Sequence, residues 1–213
     1  MPPKAPPDSA ARLIPPDADL GRLREIASGC DACPIHERAT QTVFGEGPRR
    51  ARCMLIGEQP GDQEDRQGRP FVGPSGELLD WSLQKAGIER DQAYVTNVVK
   101  HFKWVPRGKA RIHSKPSSME IKACRPWLDE EIRLVQPEVV VCLGSTAAQA
   151  LFGASFRVTK DRGRFLQSSL APYVMATVHP SSLLRIEEQP ARHEAIREFV
   201  RELRKIAEVL EPA

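Results

Sequence analysis

Four short apolar runs constrain this chain more than any other feature: residues 52–57 (RCMLIG), 93–98 (AYVTNV), 139–143 (VVVCL) and 173–177 (YVMAT). Each is too short for a buried helix and is apolar throughout rather than alternately, as in strands covered on both faces. Between and around them the apolar period lengthens, which predicts helices over residues 19–28, 75–86, 117–135, 145–151 and 192–210. The third of these opens on Ser117 with Glu120 three residues on, the pattern of a capping box. Strands alternating with helices predict a three-layer α/β/α fold around a central four-stranded, mostly parallel sheet. Sheets of this kind bind ligands beyond the carboxyl ends of their strands. Those ends carry Gly57-Glu58-Gln59-Pro60-Gly61, Asn97, Gly144 and His179-Pro180-Ser181.

The 213 residues suit one domain over residues 17–213, preceded by a Pro- and Ala-rich tail, residues 1–16, expected to be extended and disordered. No apolar stretch approaches the roughly 20 residues of a membrane span, and prolines stand where a secretion signal needs an apolar core. Five cysteines, an odd number, fit a reducing, cytoplasmic setting and favour metal thiolates over disulfides. Nothing calls for a membrane partner or for more than a monomer. The net charge of +3 is small but uneven. Residues 92–119 hold no acidic side chain, yet include Lys100, Lys103, Arg107, Lys109, Arg111 and Lys115. Such a run is either a solvated loop or a grip on phosphates.

Residues 57–76 are too rich in glycine and proline for a helix and read as a binding loop exposing Glu58, Gln59, Asp62 and Asp65 beside backbone amides. Phe71 in that loop is costly to expose and lines a pocket, as a stacking surface or as a loop anchor. Asn97 is a turn former or a base reader. Its amide donates to one ring position and accepts from another, a pair that uracil O4 and N3–H match and cytosine does not. His179 is structural, or donates to the charge that builds on O2 of a departing base. Cys30 and Cys33 form a CxxC pair and Cys124 lies on a predicted helix, a metal-ligand pattern for which His36 offers a competing zinc reading. Cys53 and Cys142 fall in apolar strands and are expected in the core.

Taken in order, GEQPGDQED, GRPFVG, NVVK and HPSSLLR resemble the family 4 uracil-DNA glycosylases over roughly residues 29–185, and KARIH at 109–113 resembles the hallmark insertion of their UdgX branch. The resemblance implies the uracil-DNA glycosylase fold, action on uracil-containing DNA, preferably single-stranded, and a 4Fe-4S cluster held by Cys30, Cys33, His101 and Cys124. His101 stands where ordinary members have cysteine. It further implies a uracil pocket of the Gln59 backbone, Asp62, Phe71, Asn97 and His179, with Glu58 stabilising the cationic sugar and Asp65 orienting His113. His113 itself would bond to C1' once the base has left, so that the protein acts once. Lys103, Arg107, Lys109, Arg111, Lys115, Ser181 and Arg185 would hold the DNA, while Phe102 and Trp104 stack on bases or pack over the cluster. Ala110 departs from the usual KRRIH and removes one cation. Two other readings stay open: a glycosylase that releases uracil repeatedly, with His113 only touching phosphate, and a metal-containing nucleic-acid-binding module without bond cleavage.

Overall fold

The computed structural model describes residues 9–211. In chain order the elements are α1 (Leu20–Ala27), β1 (Cys53–Gly57), α2 (Asp62–Gln67), α3 (Pro74–Ala86), β2 (Ala93–Asn97), β3 (Trp104–Arg107), β4 (Ala110–His113), α4 (Ser118–Val135), β5 (Val139–Leu143), α5 (Ser145–Phe152), α6 (Val158–Asp161), β6 (Phe165–Leu166), β7 (Tyr173–Thr177), α7 (Pro180–Leu184) and α8 (Gln189–Leu210). The four apolar runs are the parallel strands β1, β2, β5 and β7. The sheet gains a fifth, β6, a two-residue antiparallel edge on β7, in the order β2-β1-β5-β7-β6. So short a strand leaves no periodicity to read.

Alternation along each strand sorts the core into two layers. Met54 and Ile56 of β1 face α1, α4 and α5 through Leu23, Trp127, Leu128 and Ala147. Cys53 and Leu55 face α3 and α8 through Leu79, Leu83, Phe199 and Leu203. Cys53 and Cys142 are core thiols, as expected, and burial pushes both up to about 12. Ser117 and Glu120 cap α4 reciprocally, as the sequence predicts. Among the described residues no helix is long and apolar enough to cross a membrane.

Four local expectations differ from the structure. Of the expected tail, residues 1–8 lie outside the described residues, while Ala10–Leu13 form a turn of 3-10 helix capped by Ser9, with Ala10 fully buried. Residues 57–76 contain a helix after all, α2, because Glu64 supplies the capping the glycines lack: Oε2 accepts from the Gly61 N–H and Oε1 from Val72 and Gly73. The KARIH insertion is not a loop but the return strand of an antiparallel hairpin, β3–β4, with Trp104 opposite His113 and Pro106 opposite Arg111. Lys100, read as part of the phosphate grip, is fully buried.

Lys100 belongs to a polar network inside the α4 layer. Its Nζ donates to Glu131 Oε2 (2.5 Å), Thr96 Oγ1 (2.6 Å) and the Asn97 carbonyl (2.7 Å). Glu131 Oε1 also accepts from the Gly45 N–H and the Tyr94 hydroxyl. Removing one partner of a buried pair strands the other charge. Glu131→Ala is therefore expected to lower the unfolding free energy by about 3–5 kcal/mol. Glu131→Gln, which keeps an acceptor for Gly45, should cost less, and equilibrium urea denaturation of the two variants checks the order.

Candidate functional site

The chain leaves β1 to one side for β2, then crosses back over it to β5, so β1 is the switch point of the sheet. A cavity of about 850 Å³ opens there. Its walls include Glu58, Gln59, Asp62, Phe71, Asn97, His113, Thr146, His179, Ser181 and Arg185. Residues from four strand ends and from the hairpin are thus brought to one space, as the strand-end reading expects.

Asn97 forms the floor. It is buried, and its Oδ1 has no hydrogen-bond partner. An orphaned buried acceptor costs free energy unless a ligand donor meets it. Space for that acceptor exists only because residue 57 is glycine: a Cβ there would sit 2.3 Å from Asn97 Oδ1 and 2.7 Å from the Phe71 ring. Phe71 adopts a left-handed backbone (φ 55°), a strained choice for an aromatic residue that turns its ring into the cavity. The ring stacks on the His179 imidazole at 5.9 Å.

His179 heads α7, and its Nδ1 accepts from the Ser181 N–H at 3.2 Å, which leaves the ring proton on Nε2. Ser181 Oγ sits 2.8 Å from the same nitrogen and accepts from Arg185. Burial pushes the His179 pKa down to about 4 against the nearby Glu58 charge, so the ring is a neutral donor near pH 7. Gly144, with φ at 93°, lets this ring pack close, since a Cβ would lie 2.9 Å from that of His179.

Glu58 is buried enough to raise its pKa, yet His113 and a hydrogen bond from Thr146 outweigh burial and hold it below the ordinary carboxylate value. His113 Nε2 lies 2.9 Å from Glu58 Oε1. The geometry is not that of a hydrogen bond, so this is a close contact between the ring nitrogen and the carboxylate oxygen. Thr146, on the first turn of α5, went unremarked in the sequence, because a threonine one residue into a helix carries no signal of what it faces.

Asp65 does not touch His113. It is fully buried, accepts from the Thr40 N–H and from Arg111 Nη1, and so meets the hairpin two residues before the imidazole. Arg111 also bonds Asp62 and rests over the rings of Phe102 and Trp104. Its guanidinium is consumed by these contacts and is not a free phosphate ligand. Lys103 is likewise engaged, by Glu120. Arg107, Lys109 and Lys115 are exposed on or beside the hairpin. Gln59 joins hairpin to sheet: its side chain accepts from the Lys103 N–H and donates to the carbonyls of Lys103 and Ser114. Trp104 donates from Nε1 to the Arg38 carbonyl and Phe102 is buried, so both rings support the hairpin.

On the far side of β2, Cys30, Cys33, His101 and Cys124 are all buried. The Trp127 indole donates to Cys30 Sγ (3.3 Å) and the Lys100 N–H to Cys124 Sγ (3.2 Å). Burial pushes Cys124 up to about 12 and raises Cys33. Donors aimed at sulfur suit thiolates, which only a metal would stabilise in so apolar a place. His101 is held neutral by burial, its pKa down to about 4, and Thr42 Oγ1 takes up Nε2, leaving Nδ1 as a ligand atom. Among the described residues no three such side chains converge as a single ion requires. A four-iron cluster binds each ligand at a separate corner and asks for a wider set. His36 turns Nδ1 to the Cys33 carbonyl.

Residues 44–204 match the model of the uracil DNA glycosylase superfamily. The chain is 38% identical over 164 residues to a Type-4 uracil-DNA glycosylase of Thermotoga maritima, covering 76% of this chain and 82% of that one. It is 34% identical over 174 residues to one from Pyrobaculum aerophilum (78% and 85%) and 33% identical over 196 residues to one from Sulfurisphaera tokodaii (88% and 84%).

The neutral His179 ring has a consequence for stability. The unfolded chain takes up a proton on this residue as pH falls below about 6.5, while the folded one does not until about 4. Its contribution is therefore fully present above pH 6.5 and lost as pH falls toward 4. Urea midpoints measured across that window should fall less steeply for His179→Gln than for the unaltered protein; identical slopes would contradict a buried neutral ring.

Proposed function

The chain belongs to the uracil-DNA glycosylase superfamily, and from that premise we propose that it excises uracil from DNA, preferably single-stranded, and then captures the abasic sugar on His113. The observation that carries this reading is the imidazole of a cationic hairpin lying inside the cavity, 2.9 Å from the Glu58 carboxylate.

Extruding the nucleotide costs a few kcal/mol of stacking in duplex DNA, less in a single strand. Uracil then lies against Phe71, its N3–H donating to the vacant Asn97 Oδ1 and its O4 accepting from the same amide. Cytosine, with no N3–H, leaves that oxygen orphaned, the kind of mismatch that rejects an analogue strongly. As the C1'–N1 bond breaks, its electron pair leaves with the base, and the His179 Nε2–H donates to the charge on O2. The sugar left behind is oxocarbenium-like. Glu58, held ionised beside His113, stabilises that cation. The His113 Nε2 lone pair forms the new bond to C1', the ring then sheds its Nδ1 proton to water, and the uracil anion is protonated by solvent. A neutral imidazole bound at C1' is a far poorer leaving group than uracil, whose anion is stabilised, so the adduct persists and the reaction is single-turnover.

Cys30, Cys33, His101 and Cys124 fit a 4Fe-4S cluster, which when bound would clamp the turn at 30–33 and the segment after Asn97 onto α4. Protein purified without oxygen should carry about four irons per chain, and Cys124→Ala should lose them along with the visible absorbance. Iron and sulfide assays decide this.

For the reaction itself, uracil-containing single-stranded DNA should give a band that survives denaturing electrophoresis, and a thymine-containing strand should give none. His113→Ala is expected to abolish the band. His113→Ser, which opens room for water, should release more than one uracil per protein molecule. A persistent adduct in the alanine variant would refute His113 as nucleophile, and repeated uracil release by the unaltered protein would return it to ordinary glycosylases.

A further inference from the structure

The flank formed by α3 and α8 carries a groove that plays no part in the site above. Trp81 of α3 is nearly half exposed, at 46%, an unusual place for so large an aromatic ring. Lys85, one turn on, lies 5.8 Å over the ring. Across the groove Arg197, Arg201 and Arg204 recur along one face of α8, with Val200 as the floor. Together they enclose a pit of about 290 Å³ with apolar walls, built from the indole, Val200 and the aliphatic stems of the cations. Arg204 donates to the Lys85 carbonyl and ties the two helices at one end. Among the described residues Glu194 is the one carboxylate that forms ion pairs with the rim cations, to Arg197 and Arg201, so positive charge remains in excess.

Position separates this groove from DNA. Pro74 and Ser75 at the start of α3 line the main cavity, and Trp81 stands seven residues further, about 10 Å down the helix. A molecule seated against Trp81 leaves the strand ends free. The cations ring a pit the size of one or two side chains, whereas a nucleic-acid strand needs a track along which charges and stacking faces repeat.

We propose that this groove docks an acidic, extended peptide of a partner protein, with one aromatic or branched apolar side chain entering against Trp81 and flanking carboxylates meeting Lys85, Arg197, Arg201 and Arg204. The pairing follows the usual economy of interfaces, an aromatic anchor in a desolvated pit with charges on the rim. The contact brings the glycosylase to a partner while its catalytic rim stays open.

The probe is a short fluorescein-labelled peptide of Asp and Glu ending in Phe, titrated with the full chain and followed by anisotropy. Affinity should fall about tenfold or more in Trp81→Ala and in Arg201→Glu, hold in Trp81→Phe, weaken with salt, and drop when the peptide's Phe is replaced by Ser. Uracil release and thermal unfolding should be unchanged in all three variants. Equal peptide binding by Trp81→Ala and Arg201→Glu would overturn the proposal. So would a thymine-only single strand that loses affinity in these variants while the peptide fails to bind, since the flank would then serve nucleic acid.

Discussion

Arg111 holds the site together. A two-stranded hairpin has no stability of its own in water, and β3–β4 bears the imidazole that the proposed chemistry needs. Arg111 fastens it to the sheet, bonding both Asp62 and the fully buried Asp65 while its planar face lies over Phe102 and Trp104. Guanidinium is suited to this, because it is always charged, forks toward two carboxylates and stacks on rings; a lysine does none of these together. Asp65 in turn accepts from Thr40, so the clasp reaches into the segment before β1. The first strand-end loop, the hairpin and the residues at 38–42 are thereby tied together, and His113, which also meets Glu58, is carried on that assembly.

With the hairpin fixed, what remains for a ligand is written in unsatisfied atoms. Asn97 Oδ1 is shielded from solvent and has no partner, and Glu58 Oε1 meets the His113 ring nitrogen without a hydrogen bond. Folding tolerates such groups rarely, at a cost of about 1–3 kcal/mol each, and here both open on one cavity. One faces where a base would present N–H and the other where a sugar would become cationic, while the neutral His179 ring offers the complementary donor. The Lys100–Glu131 network steadies the floor from behind, because Lys100 bonds the carbonyl of Asn97 itself while its N–H meets Cys124. Asn97 and the thiol set are therefore linked through one short segment.

Much of this was legible in the residues. Continuous apolar runs located four strands, and their ends located Glu58, Asn97 and His179, because a parallel sheet leaves polar side chains nowhere else to converge. Charge sign alone misread Lys100 and Arg111. A lysine four residues after Thr96 looks like its cationic neighbours until Glu131 of α4, distant in sequence, is packed against it. Likewise α2 was hidden by glycines whose capping comes from Glu64, and β6 owes its existence to β7 rather than to its own two residues. These are tertiary effects, and local patterns carry no trace of them.

The hairpin register also settles what the odd residue in KARIH does. Side chains two apart along a strand share a face, so Arg111 and His113 point together toward Asp62, Asp65 and Glu58, while Ala110 and Ile112 belong to the other face. Ala110 pairs with Arg107 at the turn and is exposed, remote from the clasp. An alanine there bears on the outer tip, where Arg107 and Lys109 supply the charge, and not on the contacts that place His113. A substitution one position later would have the opposite outcome, because residue 111 carries the fastening and residue 110 does not.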